Sequence, residues 1–375
     1  MTTTNVYNNL AIHLDNLPGG FPKTESGVEL RILKRLFTPE DAELATHLTL
    51  IPETARVVAR RAKIRPEEAE RRLEDMSRRG LIFRMAIREK PPEYIAMQFF
   101  IGIWEHQVNN LNPEFIRDME EYGPILFNHK TWKKTPQLRT IPVRQSITPQ
   151  LEVMSYEKAE EMVWDKKRAV VAPCICRRER KIMGEGCEKP EDACLVFGMG
   201  AVYYQRNGFG RAIDRQEVLD ILKTADKAGL VLQPGNSKDI ANICCCCGCC
   251  CAILKNMKLH PRPAELVLSA FLAEIHTESC TGCGVCVKRC QMDALRLEGE
   301  KAILDAARCI GCGLCVSTCP TTSLKLVRKP GPQPEIPSDL VESDMRMARM
   351  RGKLKTSDLI RMQVKSKIDR LLSIR

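Results

Sequence analysis

Cysteine is missing from much of this chain of 375 residues, because none occurs before Cys174 and none after Cys319. Long hydrophobic runs are also missing. The most apolar stretches, residues 97–104 and 264–275, are shorter than the roughly 18 residues that a membrane helix needs. Residues 1–10 have no basic segment followed by an apolar one, which is the pattern of a secretory leader. We therefore expect a cytoplasmic protein without a membrane span.

The composition is that of a globular protein, with 44% hydrophobic and 28% charged residues. This balance excludes wholesale disorder and collagen-like repetition. The net charge of +11 is concentrated at one end, because ten Lys and Arg against two Asp give residues 345–375 a charge of +8. The rest of the chain is nearly neutral, so its bulk charge does not indicate nucleic-acid binding.

Eight of the 19 cysteines form two runs with the same spacing, the second displaced by 29 residues from the first. The two runs are Cys280, Cys283, Cys286 and Cys290, then Cys309, Cys312, Cys315 and Cys319. Such a displacement is an internal repeat. The spacing resembles that of the bacterial-type two-cluster [4Fe-4S] ferredoxin family, over residues 275–327. Zinc is the alternative, but zinc sites take their cysteines in pairs, whereas each run here supplies a triplet and a separate fourth.

The resemblance implies that each cluster takes three ligands from one run and the fourth from the other. One cluster would be held by Cys280, Cys283, Cys286 and Cys319, and the other by Cys309, Cys312, Cys315 and Cys290. The resemblance also implies a βαββαβ fold with strands at 295–297, 302–304 and 324–327. Pro320 follows the last cysteine, as the family pattern expects, whereas Gln291 stands at the equivalent place after the first run.

Eleven further cysteines lie between residues 174 and 251. This stretch resembles a cysteine-rich module of multi-cluster ferredoxin-type proteins of anaerobes. The resemblance implies one or two additional iron–sulfur clusters. The candidate ligands are Cys174, Cys176, Cys187, Cys194, Cys244, Cys246, Cys247, Cys249 and Cys250.

The cysteines of this stretch can be partitioned in more than one way. On a helix, positions 244, 247 and 250 or 251 would share a face. One partition gives a cluster to the early cysteines alone, and another mixes them with the block at 244–251. A zinc or mixed-metal site and a thiol-redox switch are alternatives to iron–sulfur clusters here.

The N-terminal part has the pattern of closely spaced helices followed by a strand. Spacing and capping signals predict these elements at residues 28–36, 38–48, 52–62, 66–79 and 81–85. Their order resembles a winged helix-turn-helix domain. Five acidic residues against four Arg at residues 66–79 disfavour DNA reading, because carboxylates repel phosphate. Four nearby basic residues can still contact phosphates: Arg56, Arg60, Arg61 and Lys63.

The predicted fold class is α+β with several domains. The expected segments are an N-terminal arm (1–26), a winged helix-like domain (27–100), a helical linking region (101–165), a cysteine-rich α/β iron–sulfur domain (166–255), a connector (256–274), a ferredoxin domain with two [4Fe-4S] clusters (275–328), and a Pro-rich break with a basic amphipathic tail (329–375).

These features favour an electron-transfer protein or subunit that passes electrons between a low-potential donor and a partner oxidoreductase carrying flavin or another metal. We expect a non-catalytic subunit. The alternatives are a redox- or oxygen-sensing DNA-binding regulator and a subunit with a catalytic iron–sulfur site at residues 174–251. The tail predicts an amphipathic helix with Ile360, Val364, Ile368 and Leu371 on one face. We expect this helix to dock on the surface of an acidic redox protein or to fold back on its own chain, and loose adsorption to a membrane is the third alternative.

Overall fold

The computed structural model describes residues 3–86 and 89–373. The chain forms two compact units, and each unit is assembled from separate parts of the sequence. The first unit comprises Met1–Leu126, Gln205–Phe209 and Asp344–Arg375, and the second comprises Phe127–Tyr204 and Gly210–Ser343. All 19 cysteines therefore belong to the second unit. Both units mix helices with small sheets, in agreement with the α+β expectation.

Helices dominate the first part of the chain. They are Thr3–Asp15, Val28–Leu36, Pro39–Ala45, Ala55–Ala62, Pro66–Arg78 and Pro113–Leu126. The second begins where the sequence predicted it. The third has Thr38 as its N-cap, and the Thr38 hydroxyl accepts a hydrogen bond from Asp41 N at 3.2 Å. Such a bond satisfies one of the free N–H groups at a helix start.

A small antiparallel sheet accompanies these helices, with Glu93–Ile95 paired on either side to Glu53–Thr54 and Phe83–Met85. The helix predicted from residue 52 therefore begins later, at Ala55, because the two residues before it form the edge strand. The helix before the second strand ends at Arg78, and Gly80 follows it with a φ of 78°. Glycine accepts this left-handed conformation without strain.

A five-stranded antiparallel sheet organises the cysteine-rich part of the second unit. Its strands, in spatial order, are Arg211–Ile213, Ala169–Pro173, Asp192–Phe197, Asn242–Cys246 and Val231–Pro234. The helices of this part are His129–Trp132, Ala159–Val163, Ile175–Ile182, Gly198–Asn207, Arg215–Lys227 and Ala252–Lys258. Val170, Leu195 and Ile243 are buried on the sheet, so the apolar strand residues supply its core.

The ferredoxin-like part contains two antiparallel strand pairs and one short helix. The pairs are Phe271–Ile275 with Leu324–Arg328, and Leu295–Glu298 with Lys301–Leu304. The three strands predicted here are formed. The helix Val285–Arg289 follows the first strand. The second helix of the expected βαββαβ pattern is not formed, because residues 314–318 make only turns.

The end of the described chain contains the helices Leu340–Met350 and Thr356–Leu372. The last helix contacts Ala55–Ala62, where Arg61 Nε donates to Asp369 Oδ2 at 2.6 Å. Asp369 is buried, whereas the predicted apolar face of the helix is exposed. This ion pair turns the polar side of the helix inward.

None of the helices within residues 3–86 and 89–373 combines the length and the apolar character that crossing a bilayer requires.

Candidate metal centres

The first thiol group of the ferredoxin-like part lines a small cavity. Its members come from two distant places in the sequence: Cys280, Cys283, Cys286 and Cys319. Strand Phe271–Ile275 precedes the first three, and strand Leu324–Arg328 follows the fourth. Because the two strands pair with each other, they bring both stretches to one place. The structure thus gathers all four residues of the first predicted ligand set.

The second thiol group lines another small cavity and consists of Cys290, Cys309, Cys312 and Cys315. The helix Val285–Arg289 connects the two cavities. Cys286 belongs to this helix and lines the first cavity, whereas Cys290 is its C-cap and lines the second. One helical turn separates these two residues. Cys319 of the second run thus lies with the first three cysteines of the first run, and Cys290 of the first run lies with the first three of the second.

Two glycines next to the ligands allow the chain to pass close to neighbouring backbone. Gly282 and Gly311 each have a φ of 67°. A side-chain carbon at Gly282 would lie 2.4 Å from Glu300 O, and one at Gly311 would lie 2.1 Å from Phe271 O. Both distances are far below van der Waals contact. The ligand loops can therefore reach their positions only with glycine at these places.

Backbone N–H groups point at sulfur atoms in both cavities. The pairs are Ala302 N to Cys280 Sγ at 3.5 Å, Ala273 N to Cys309 Sγ at 3.4 Å, and Ala294 N to Cys290 Sγ at 3.2 Å. The hydrogen bonds from Ala302 and Gly282 lower the pKa of Cys280, because they stabilise its thiolate. Four thiols around one cavity, with amide donors at the sulfurs, fit the ligation of a [4Fe-4S] cluster.

The two cavities differ in their exposure to solvent. Cys283 of the first is exposed, whereas Cys309 and Cys315 of the second are buried. Burial raises the pKa of Cys312 to about 12 and raises that of Cys315 well above its ordinary value. Metal binding requires the thiolate form, so the second set must lose protons as it takes up iron.

The cysteine block at 244–251 has a local structure that its sequence did not reveal. The first three residues end the strand Asn242–Cys246, which is paired on both sides. Strand alternation places Cys244 and Cys246 on one face and Cys245 on the other. The shared helical face expected for positions 244, 247 and 250 or 251 is therefore wrong, because the helix begins only at Ala252.

Four thiols of this region lie within 4.8 Å of one another, namely Cys187, Cys247, Cys249 and Cys250. We call them the four-thiol site. Cys250 Sγ is 3.6 Å from Cys187 Sγ and 3.8 Å from Cys249 Sγ. Three members share one tight turn, and Cys187 reaches them from the loop before strand Asp192–Phe197. A hydrogen bond from Cys250 lowers the pKa of Cys247, because it stabilises the thiolate.

Six other thiols form a row in which each is hydrogen-bonded to the next: Cys194, Cys244, Cys246, Cys251, Cys176 and Cys174. We call them the six-thiol row. Strand pairing sets Cys194 opposite Cys244. Hydrogen bonds from their neighbours lower the pKa of Cys244 and of Cys251, because they stabilise the thiolates. The pKa of Cys176 and of Cys246 is raised, because their hydrogen bonds to the neighbouring cysteines stabilise the protonated thiol.

The eleven cysteines thus fall into a set of four, a set of six and one isolated residue. Cys245 is the isolated one, and burial raises its pKa to about 12. The structure separates Cys187 from Cys174, Cys176 and Cys194. It therefore groups early cysteines with those of the block at 244–251 and does not keep the early four together. Cys251 was absent from the candidate ligands. Its position at the N-cap of a helix that starts at Ala252 gave no spacing signal.

Arg177 supplies positive charge between the two sets. It is buried, its Nη2 donates to Cys245 O at 2.7 Å, and its side chain is hydrogen-bonded to Cys247. Burial alone would lower the pKa of Arg177, but the neighbouring sulfur groups of Cys174, Cys247 and Cys246 raise it. The guanidinium group therefore remains charged next to both the four-thiol site and the six-thiol row.

A direct contact joins the cysteine block to the second ferredoxin cavity. Gln291 lines that cavity, and its Oε1 accepts a hydrogen bond from Gly248 N at 2.8 Å. A side-chain carbon at Gly248 would lie 2.1 Å from Gln291 O, so glycine is required for this approach. Gln291 is the residue that departs from the ferredoxin pattern. The departure is explained by this contact with Gly248.

Comparison with known proteins bears on the ferredoxin-like part alone. The family model described as a 4Fe-4S dicluster domain matches residues 273–326, which contain both cysteine runs and both cavities. No curated protein and no solved structure matches the chain. Residues 273–326 are therefore an iron–sulfur segment of the ferredoxin type.

Proposed function

We propose that this chain is a multi-cluster electron-transfer protein or subunit, which relays electrons between a low-potential donor and a partner oxidoreductase. The observation that carries the proposal is the pair of four-thiol cavities inside the segment that matches the dicluster family. When bound, a [4Fe-4S] cluster supplies reversible one-electron redox chemistry. The protein residues hold the sulfur ligands in place, donate hydrogen bonds to them and limit the access of water.

The difference in solvent exposure between the two cavities indicates which of them faces a redox partner. Cys283 is exposed, so the first cavity is the one that a redox partner can approach closely. The second cavity is more buried and carries Gln291, which contacts Gly248 of the cysteine block. We infer that electrons enter or leave at the first cavity and that the second cavity connects it to the cysteine-rich region.

The six-thiol row supports a further iron–sulfur cluster. Six thiols exceed the four that one tetrahedral ion takes, and they extend along a strand face and two helix starts. Thiolate is the ligand that iron–sulfur clusters require. The row can therefore hold a cluster of four irons, using Cys251 in addition to the ligands that the sequence indicated.

We propose that the protein acts in the cytoplasm, because its 19 cysteines stay reduced there and can serve as metal ligands. No side-chain constellation that we identify in the described residues points to substrate chemistry, so we assign the bond-making step to a partner with flavin or another metal. The catalytic alternative would need an iron in the 174–251 region with a position open to substrate.

We propose that residues 27–100 form a winged helix-like domain that serves in protein docking. The order of the helices and the antiparallel sheet support this domain type. Two of the four basic residues that could contact phosphates already pair with carboxylates. Arg61 is bound by Glu53 and Asp369, and Arg60 lies 3.7 Å from Asp369. This pairing disfavours the DNA-binding regulator.

The last helix offers a surface for a partner protein. Its apolar residues Ile360, Val364, Ile368 and Leu371 are exposed. The neighbouring basic residues favour a partner with an acidic rim. We propose that this surface takes part in docking.

Iron and acid-labile sulfide analysis of the anaerobically purified protein tests the proposal. We expect about 12 irons and about 12 sulfides in clusters per chain, eight from the ferredoxin-type segment and four from the six-thiol row. A low-potential donor should reduce the clusters rapidly, and a specific DNA should not retain the protein. A colourless protein without sulfide would overturn the proposal, and salt-dependent retention on a specific DNA would favour the regulator.

A further inference from the structure

The spacing of the sulfur atoms at the four-thiol site fits a single metal ion. A tetrahedral ion with metal–sulfur bonds of about 2.3 Å holds its sulfurs about 3.8 Å apart, because a tetrahedron's edge is about 1.6 times its centre-to-corner distance. Two of the sulfur pairs are separated by 3.6 and 3.8 Å, and every pair lies within 4.8 Å. Two of the six sulfur pairs are therefore close to the separation that one shared ion requires, and all six lie within 4.8 Å.

A four-iron cluster holds its ligand sulfurs farther apart than a single ion does, because its ligands must surround a core of eight atoms. In the ferredoxin-type segment the thiols are arranged around two cavities. Within the part of the chain that the structure describes, Cys187, Cys247, Cys249 and Cys250 are the one group of possible ligands packed this tightly. The two kinds of thiol group in this protein thus differ in the size of the centre that they fit.

The elements that carry the four thiols support a closed site. Cys247 and Cys250 are buried and Cys249 is exposed at the surface of the turn. Cys187 belongs to a loop outside that turn, so a shared ion would fasten the loop to the turn. Four thiolate ligands complete a tetrahedron and leave no position for a substrate, as in structural zinc sites.

The charge balance also favours a cation of this kind. A divalent ion with four thiolates carries a net charge of −2, which a buried site must compensate. Arg177 is a buried guanidinium group whose side chain is hydrogen-bonded to Cys247. It therefore offsets part of the negative charge.

We propose that Cys187, Cys247, Cys249 and Cys250 bind one tetrahedral divalent ion, Zn²⁺ or Fe²⁺, and not a four-iron cluster. This inference goes beyond the electron-transfer function, because a zinc ion would be structural and an iron ion would add a one-electron centre without sulfide.

The test compares three full-length proteins purified anaerobically with their clusters: the wild type, Cys187→Ala and the matched control Cys245→Ala. Zinc, iron and acid-labile sulfide are measured in each. We expect Cys187→Ala to lose about one metal ion per chain, zinc or iron, with no loss of sulfide. The control should keep the wild-type content, because Cys245 lies on the opposite strand face. A loss of about four irons together with about four sulfides would show a cluster and overturn the proposal, as would no loss at all.

The wild-type protein keeps the proposal testable if Cys187→Ala does not fold. If the ion is zinc, X-ray absorption at the zinc edge should show four sulfurs at about 2.3 Å. If it is iron, the chain should contain about one iron in excess of its sulfide. Equal iron and sulfide without zinc would overturn the proposal. Failure of the proposed electron-transfer function is distinguishable, because it would appear as absence of the ferredoxin-type iron and sulfide from all three proteins.

Discussion

The ferredoxin-type segment and the cysteine-rich region hold their thiols in opposite ways. In residues 273–326 the thiols stand around two cavities, and backbone N–H groups point at several of the sulfurs. In residues 174–251 the thiols contact one another, and their hydrogen bonds run from thiol to thiol. A count of cysteines would treat the regions as equivalent. The structure places the same residue type around two cavities in one region and in direct thiol–thiol contact in the other.

Removal of one thiol from the second cavity should have the largest effect. In Cys315→Ala, a cluster loses one of its four ligands, so we expect the protein to lose about four irons and about four sulfides. Anaerobic iron and sulfide analysis measures this loss. Cys245→Ala is the control and should lose neither. A loss of a single iron from Cys315→Ala would contradict the difference between the regions.

A side chain at Gly311 should destabilise the ferredoxin-type segment. In Gly311→Ala, the new methyl group would clash with Phe271 O at 2.1 Å, and the left-handed backbone adds strain. We expect a loss of about 1–3 kcal/mol from the clash, beyond the roughly 1–2 kcal/mol for the backbone conformation.

The matched control for this variant is Gly299→Ala. Gly299 has a φ of 57°, but an added side-chain carbon there has open space around it. Anaerobic denaturant unfolding of both variants gives the difference between them. Equal stabilities would show that the close approach of Gly311 to Phe271 does not constrain the fold.

The contact between the two regions should be weaker but measurable. In Gln291→Leu, the buried Gly248 N–H loses its acceptor, so we expect the free energy of unfolding to fall by about 1–3 kcal/mol. Gln291→Glu keeps an acceptor oxygen and should retain more of the stability. Calorimetry under anaerobic conditions measures both. If Gln291→Leu is as stable as the wild type, the regions are not coupled through this bond.

The two cavities should differ in their sensitivity to air. Because Cys283 is exposed and Cys315 is buried, we expect the first cavity to release its iron before the second. About half of the ferredoxin-type iron should then appear in a fast phase when a chelator is added in air. Cys286→Ala should lack the fast phase and Cys315→Ala the slow one. Release in one phase from the wild type would contradict this order.

The sequence predicted the ferredoxin-type segment well because its signal is local and repeated. Three ligands of each set lie within seven residues, and the exchange of fourth ligands is part of the family pattern. The strands that close the segment alternate or run apolar and are formed as expected. The second helix that the resemblance implied is not formed, because residues 314–318 make turns in its place.

The grouping of the thiols in the cysteine-rich region could not be predicted in the same detail, because it depends on residues that are far apart in the sequence. Cys244–Cys246 form a strand because Asp192–Phe197 and Val231–Pro234 pair with it from both sides. Alternation along that strand then separates Cys245 from its neighbours. The last helix shows the same limit. Its Asp369 pairs with Arg61, which lies far away in the sequence, and its apolar face is exposed.

The bond from Gly248 to Gln291 closes a loop of chain that contains the whole first cysteine run. Arg289 reinforces the closure, since it pairs with Asp226 at 3.0 Å. A segment held at Arg289 and Gln291 in this way cannot swing on its linker as an independent ferredoxin would. The second unit should consequently unfold in one cooperative transition. The distances between its thiol groups are then fixed by the fold. They do not vary as they would if the ferredoxin-type segment moved freely on a flexible linker.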